Sequence, residues 1–144
     1  MTPEKVTTMC RIVTNSSFKN NGNGPSPKTN WPKGPNALKY MYGVFLRLRL
    51  YPVSVHFDLK KMFHSVRTGN TELFKRLMVW RNGVLDTKWT TYGWTVVNFG
   101  DRPASCILEI CKDLAADAGQ HINPEAATAI REDTYIDDWR HNRG

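Results

Sequence analysis

The sequence predicts an α+β fold in which helices cover one face of an antiparallel sheet. Three observations predict it. Short runs rich in β-branched and aromatic residues stand at Val53 to Asp58 and Thr134 to Asp137. Apolar residues recur at helical spacing after Ala37 and again after Pro103. Strands and helices follow one another without strict βαβ alternation, which favours layers over a doubly wound parallel sheet.

Taken in order, Cys10 to Asn15 reads as a short strand centred on Ile12 and Val13. Ser16 to Asn36 is dominated by Asn, Gly, Pro, Ser and Lys and reads as a long loop. A helix is expected from Ala37 to about Leu50, with Leu38, Met41, Tyr42, Phe45 and Leu46, and Arg49 below them, as its stripe. Pro52 stops it, and the strand Val53 to Asp58 follows. Lys60 to Val66 fits one helical turn. Glu72 to Trp80 and Tyr92 to Phe99, separated by turn material that includes Asn82-Gly83, read as paired antiparallel strands; the first also fits a helix.

The strongest helix signal comes next. Asp101 can cap it, Pro103 suits its first turn, Ile107, Ile110, Cys111 and Leu114 form its stripe, and Gly119 closes it. Asn123-Pro124-Glu125 opens a second helix that runs to about Arg131, and Thr134 to Asp137 is the last expected strand. Trp139 to Gly144 carries no strand pattern.

The chain has 144 residues, enough for one domain, and 40% of them are apolar. Twenty Lys and Arg against thirteen Asp and Glu give +7, a balance that favours a polyanionic partner. Cys10, Cys106 and Cys111 cannot all pair within the chain, and none stands in a C-x-x-C frame. A zinc site and a disulfide framework are therefore not expected, and a reduced intracellular setting is. No apolar run approaches the roughly 20 residues of a membrane span, and the opening residues lack the apolar core of a secretory signal.

Chemistry concentrates where aspartates end hydrophobic strands, at His56-Phe57-Asp58 and Tyr135-Ile136-Asp137-Asp138. Taken singly, Asp137-Asp138 also reads as a solvated turn and Asp58 as a helix cap. If the two strands lie side by side, their carboxylates meet and repel unless a cation neutralises them. Magnesium, which takes one or two carboxylates together with substrate phosphates, is the natural partner. Paired ions of that kind serve phosphoryl transfer.

Together these stretches resemble reverse transcriptases. Tyr135-Ile136-Asp137-Asp138 is similar to their YxDD box, and Phe57-Asp58-Leu59-Lys60-Lys61-Met62-Phe63 to their first palm motif, an aspartate followed by an aromatic. Asn98-Phe99-Gly100 resembles the glycine turn that leads into the palm helix, and Arg11 to Asn15 the fingers strand. The wording is closer still to enzymes of BEL/Pao-type long-terminal-repeat retrotransposons, through Asn15-Ser16-Ser17, Lys33-Gly34-Pro35-Asn36, Asp58-Leu59-Lys60-Lys61-Met62-Phe63 and Phe99-Gly100-Asp101-Arg102-Pro103-Ala104-Ser105.

The resemblance implies a polymerase palm-type antiparallel sheet with part of the fingers. By it, Asp58, Asp137 and Asp138 are the catalytic carboxylates and the ligands of two Mg2+ or Mn2+ ions. It also implies that Arg11 touches the incoming deoxynucleoside triphosphate, that Phe63 excludes a ribose 2′-hydroxyl, and that Phe99 and Gly100 floor the nucleotide pocket. Tyr135 would lie against the primer end of an RNA or DNA template-primer. The basic loop with Lys19, Lys28 and Lys33 is a candidate for phosphate contact.

This sequence departs from the pattern at Asn15, where the family carries an acid, and at Phe99, where retroviral enzymes carry glutamine. The same resemblance leads us to expect a partial domain over 1–144, with thumb, connection and ribonuclease H absent and the return strand after Asp138 missing. Two functions follow as expectations: an RNA-directed DNA polymerase domain of a retrotransposon polyprotein, in the cytoplasm or in retroelement particles, or an inactive remnant that at most binds nucleic acid.

Overall fold

The computed structural model describes residues 12–19, 22–70, 77–81 and 88–143. Its elements run α1 (Pro27–Asn30), α2 (Met41–Arg47), β1 (Val53–Asp58), α3 (Met62–Ser65), β2 (Leu77–Trp80), β3 (Thr90–Gly93), α4 (Ala104–Gly119), α5 (Pro124–Glu132), β4 (Thr134–Tyr135) and β5 (Asp138–Arg143). The class is α+β, with two antiparallel sheets: three strands in the order β1-β5-β4, and the pair β2-β3.

The expected β1, the helical turn α3 and the second long helix α5 form where the residues place them. Pro52 breaks the preceding segment, and the β-branched and aromatic run after it pairs along its full length. Asn123 caps α5 by accepting the Ala126 N–H at 2.9 Å, with Pro124 in the first turn, where its missing N–H costs nothing.

The most consequential difference lies at the end. Trp139 to Arg143 was expected to carry no strand; instead β5 runs from Asp138 and is the central strand of the main sheet, paired with β1 on one side and β4 on the other. Polar residues such as Arg140 and Asn142 are held in strand geometry by the ladder with β1, and the Arg140 N–H also donates to the Asp133 carbonyl at 2.9 Å. Asn142 is buried opposite Ser54. The expected strand Thr134 to Asp137 is accordingly shorter: Thr134–Tyr135 pairs with β5, and Ile136-Asp137 makes the turn.

Other boundaries also move. Ile12 to Asn15 is not in a strand, and Cys10 and Arg11 lie outside the described residues. The long loop contains the short α1, closed by a capping box in which Ser26 N–H donates to Thr29 Oγ1 at 3.0 Å and Thr29 N–H to Ser26 Oγ at 3.3 Å. Helix α2 is only seven residues long and buries Val44, not the stripe, since Tyr42 and Leu46 are exposed. Strands β2 and β3 do pair antiparallel, but β3 starts at Thr90 and stops at Gly93; Asn82-Gly83 lies outside the described residues.

Helix α4 is turned relative to its expected stripe. Ala104, Leu108, Glu109, Lys112 and Ala116 are buried, while Ile110 and Leu114 are 44% and 61% exposed. Glu109 and Lys112 enter this face as an ion pair, in which each charge offsets part of the desolvation cost of the other. Asp101 does not cap α4: its carboxylate accepts the Asn98 N–H at 3.2 Å and closes the preceding turn, leaving Pro103 at the N-cap position.

The core is built from small and medium residues, Val44, Val97, Leu108, Ala116 and Ala127 among them. Helices α4 and α5 pack on each other and face the side of the sheet that carries Phe57 and Trp139. Between them lies a mostly apolar cavity of about 660 Å³, lined by Phe57, Leu59, Met62, Leu108, Ile130 and Trp139 among others. On the opposite side of β5 by strand alternation, Arg140 stacks over Phe45 of α2 at 5.1 Å, so helical contact is not confined to one face. Arg47 of α2 ties the same region together, with its Nε 3.0 Å from Asp133 and a guanidinium N–H donating to the Glu132 carbonyl.

Candidate functional site

Strand register brings the aspartates to one end of one sheet. Asp58, the last residue of β1, stands directly across from Asp138, the first of β5, and Tyr135 of β4 pairs with Asp138 from the other side. Residues opposite one another on neighbouring strands project from the same face, with Cβ atoms roughly 4.5–5.5 Å apart. Asp137 sits in the turn, and its carbonyl accepts the Leu59 N–H at 2.9 Å, tying the hairpin to the residue that follows Asp58. Asp58 and the adjacent pair Asp137-Asp138, distant from it in sequence, are therefore brought to one sheet end.

The pairing concentrates like charge. Arg140, two residues along on the same face, answers part of it with its Nη2 3.3 Å from Asp138. Asp58 is exposed, and Asp137 is half-buried. Among the described residues, no set of three or more His, Cys, Asp or Glu side chains is gathered to hold a metal by itself. Magnesium does not need such a set, because one or two carboxylates plus substrate phosphates complete its shell. The carboxylate oxygens of Asp58 and Asp138 are hard donors of the kind that ion takes.

The turn has an unusual backbone. Ile136 adopts φ 58°, a left-handed conformation that a β-branched residue rarely holds. Its N–H donates to Glu109 Oε1 at 3.1 Å, and Glu109 Oε2 accepts from Lys112 Nζ at 2.5 Å. Glu109 is fully buried. Sequence reasoning missed both residues; the available signal was an i,i+3 acid–base pair on a helix otherwise read by its apolar residues.

A second group of expected residues also meets. Phe63 and Phe99 have ring centroids 4.1 Å apart, and with Gly100 they line a cavity of about 380 Å³ together with Lys28, Lys33 and Arg102. Gly100 has φ 88°, a conformation that favours glycine. The turn is held by Thr14 Oγ1, which donates to the Phe99 carbonyl at 3.1 Å. Lys28 and Lys33 belong to the basic loop, and Arg102 follows the glycine turn. Arg102 Nη1 donates to the Trp31 carbonyl at 3.3 Å. Asp101 lines the same cavity as these three cations and two aromatic rings. Arg11, the other expected phosphate contact, lies outside the described residues.

His64, an exposed residue, stacks on Trp94 at 6.2 Å and meets the edge of Phe99 at 5.6 Å. Cys106 and Cys111 are free thiols. Among the described residues, no helix is long and apolar enough to cross a membrane. No protein-family model matches this chain, and neither any curated protein nor any solved structure matches it.

Proposed function

We propose that the chain is a reverse-transcriptase-type nucleotidyl transferase domain, of palm-type fold and retrotransposon origin, that extends a primer on an RNA template. The observation that carries the reading is the register of Asp58 against Asp138, with Asp137 in the turn between β4 and β5. An exposed carboxylate pair at a sheet end has an evident use if divalent cations and substrate phosphates neutralise it. Asp58, Asp137 and Asp138 would hold two magnesium ions. Ions held there would supply the charge that activates a primer hydroxyl and stabilises the leaving oxygen.

The chain's own residues do the rest by positioning, which dominates phosphoryl transfer. Lys28, Lys33 and Arg102 receive the triphosphate charge, and Arg11 adds to it. Phe63 closes the space that a ribose 2′-hydroxyl would need, and Phe99 and Gly100 form the pocket floor. Tyr135, beside Asp138 in the sheet, steadies the primer end.

A second reading, nucleic-acid binding without catalysis, is favoured by the ion pair of Arg140 with Asp138, which occupies one of the carboxylates. Primer extension on an RNA template by the purified chain, with magnesium and deoxynucleotides, decides between them. Extension that disappears in Asp137→Asn supports the polymerase. A folded chain that shifts the primer-template in a gel but adds no nucleotide overturns it in favour of binding alone.

A further inference from the structure

We infer that Glu109 is a positioning residue for the aspartate hairpin: its buried carboxylate, balanced by Lys112, holds the Ile136 N–H and so fixes the turn that presents Asp137 and Asp138. This inference rests on the polymerase reading for its functional meaning, but not for its structural content.

Glu109 is 0% exposed and Lys112 6%. A buried ion pair is a poor way to gain stability, because replacing both partners with apolar residues of similar size is often neutral or favourable. Such a pair in the middle of α4 therefore calls for a task that a leucine could not perform. The one visible here is hydrogen-bond acceptance. Glu109 Oε1 takes the Ile136 N–H at 3.1 Å while Oε2 takes Lys112 Nζ, so the two oxygens have separate partners. Asp113 lies beside the pair, its Oδ1 3.7 Å from Lys112 Nζ, beyond hydrogen-bond reach, and its Oδ2 3.3 Å from Lys39 Nζ.

The receiving residue needs the help. Ile136 is held at φ 58°, and strained backbone persists only where its surroundings over-determine it. The turn has a second anchor, the Leu59 N–H on the Asp137 carbonyl, which comes from the β1 side. Glu109 is the anchor from the helix side. With both in place, Asp137 and Asp138 are fixed relative to Asp58 and to α4 at once. Without Glu109, the turn is free to relax toward φ below zero, and relaxation moves Asp137.

Two double variants separate positioning from packing. Glu109→Leu/Lys112→Leu removes the buried charges and the acceptor together. Glu109→Gln/Lys112→Leu removes the charges and keeps a carbonyl oxygen for Ile136. Both are expected to melt within a few degrees of the native chain. Amide hydrogen exchange at Ile136 is expected to speed up about tenfold or more in the Leu/Leu variant and to stay near native in the Gln/Leu variant. In primer extension, kcat falls about 10–100-fold in the Leu/Leu variant, with the KM for deoxynucleotide unchanged, and recovers with glutamine. Equal protection of Ile136 in both variants overturns the proposal whatever the polymerase assay shows. Equal kcat in both, in a native chain that is active, overturns its functional half. A native chain that extends nothing sinks the polymerase reading, while the exchange data still decide the role of Glu109.

Discussion

The ring of Trp139 lies on that of Phe57, with centroids 5.0 Å apart and planes 21° from parallel. The two residues are paired across β5 and β1, one position before the Asp58–Asp138 pair at the sheet end. Trp139 is also anchored to α5 through its indole N–H, which donates to the Ala129 carbonyl at 3.3 Å. Because a one-residue slip would send every side chain of β5 to the opposite face, this contact also sets which aspartates meet.

Trp139→Ala is therefore expected to cost about 2–3 kcal/mol, below the range for fully buried aromatics because Phe57 stays 56% exposed. Urea denaturation measures it. Trp139→Phe keeps the ring contact and loses only the indole hydrogen bond, so its cost should be about 1 kcal/mol. Equal losses in the two variants would mean that the stacking contributes nothing.

The facing carboxylates of Asp58 and Asp138 give a cation-dependent signature. Without divalent ions, Asp58→Asn relieves like-charge repulsion and should raise the melting temperature by about 2 °C. With magnesium at matched ionic strength, the native chain gains stability through binding and the variant gains less. Melting curves of both proteins with and without magnesium chloride check this. The same magnesium response in native and variant would show that Asp58 is not a ligand.

Gly34 and Cys106 make a second test, away from the carboxylates. Gly34 has φ 79°, and an added Cβ would stand 3.0 Å from Cys106 Sγ. Gly34→Ala thus combines backbone strain with a clash and should destabilise by about 2–3 kcal/mol. Adding Cys106→Ala removes the sulfur and should return about 1 kcal/mol of that loss, leaving the strain. A double-mutant cycle by denaturation reads the difference; strict additivity would refute the contact.

Substrate selection should depend on Phe63, whose ring packs against Phe99 in the lining of the cavity that also carries Lys28, Lys33 and Arg102. Under the polymerase reading, Phe63→Val opens space for a 2′-hydroxyl. The preference for deoxynucleotides over ribonucleotides should then fall about tenfold or more, seen as a ratio of kcat/KM values. An unchanged ratio in an active variant would remove Phe63 from the nucleotide site.

Local patterns alone made several elements legible. Pro52 followed by a β-branched and aromatic run determined β1, and Asn123-Pro124 determined the start of α5, because caps and breakers act through the backbone of their own neighbours. The candidate site residues Asp58, Asp137, Asp138, Phe63, Phe99 and Gly100 were also legible, as motifs in order along the chain. Whether they meet was not. That depended on β5, whose Trp-Arg-His-Asn-Arg composition has no strand pattern of its own and forms one only because β1 and β4 flank it. The inward turn of α4 was hidden for a related reason. A buried Glu109 and Lys112 look like solvated charges until each has the other, and Ile136, within reach. Sequence determines what a segment prefers by itself; ladder pairing and buried charge balance exist only between segments, so tertiary structure alone decided which carboxylates share a sheet end and what holds them there.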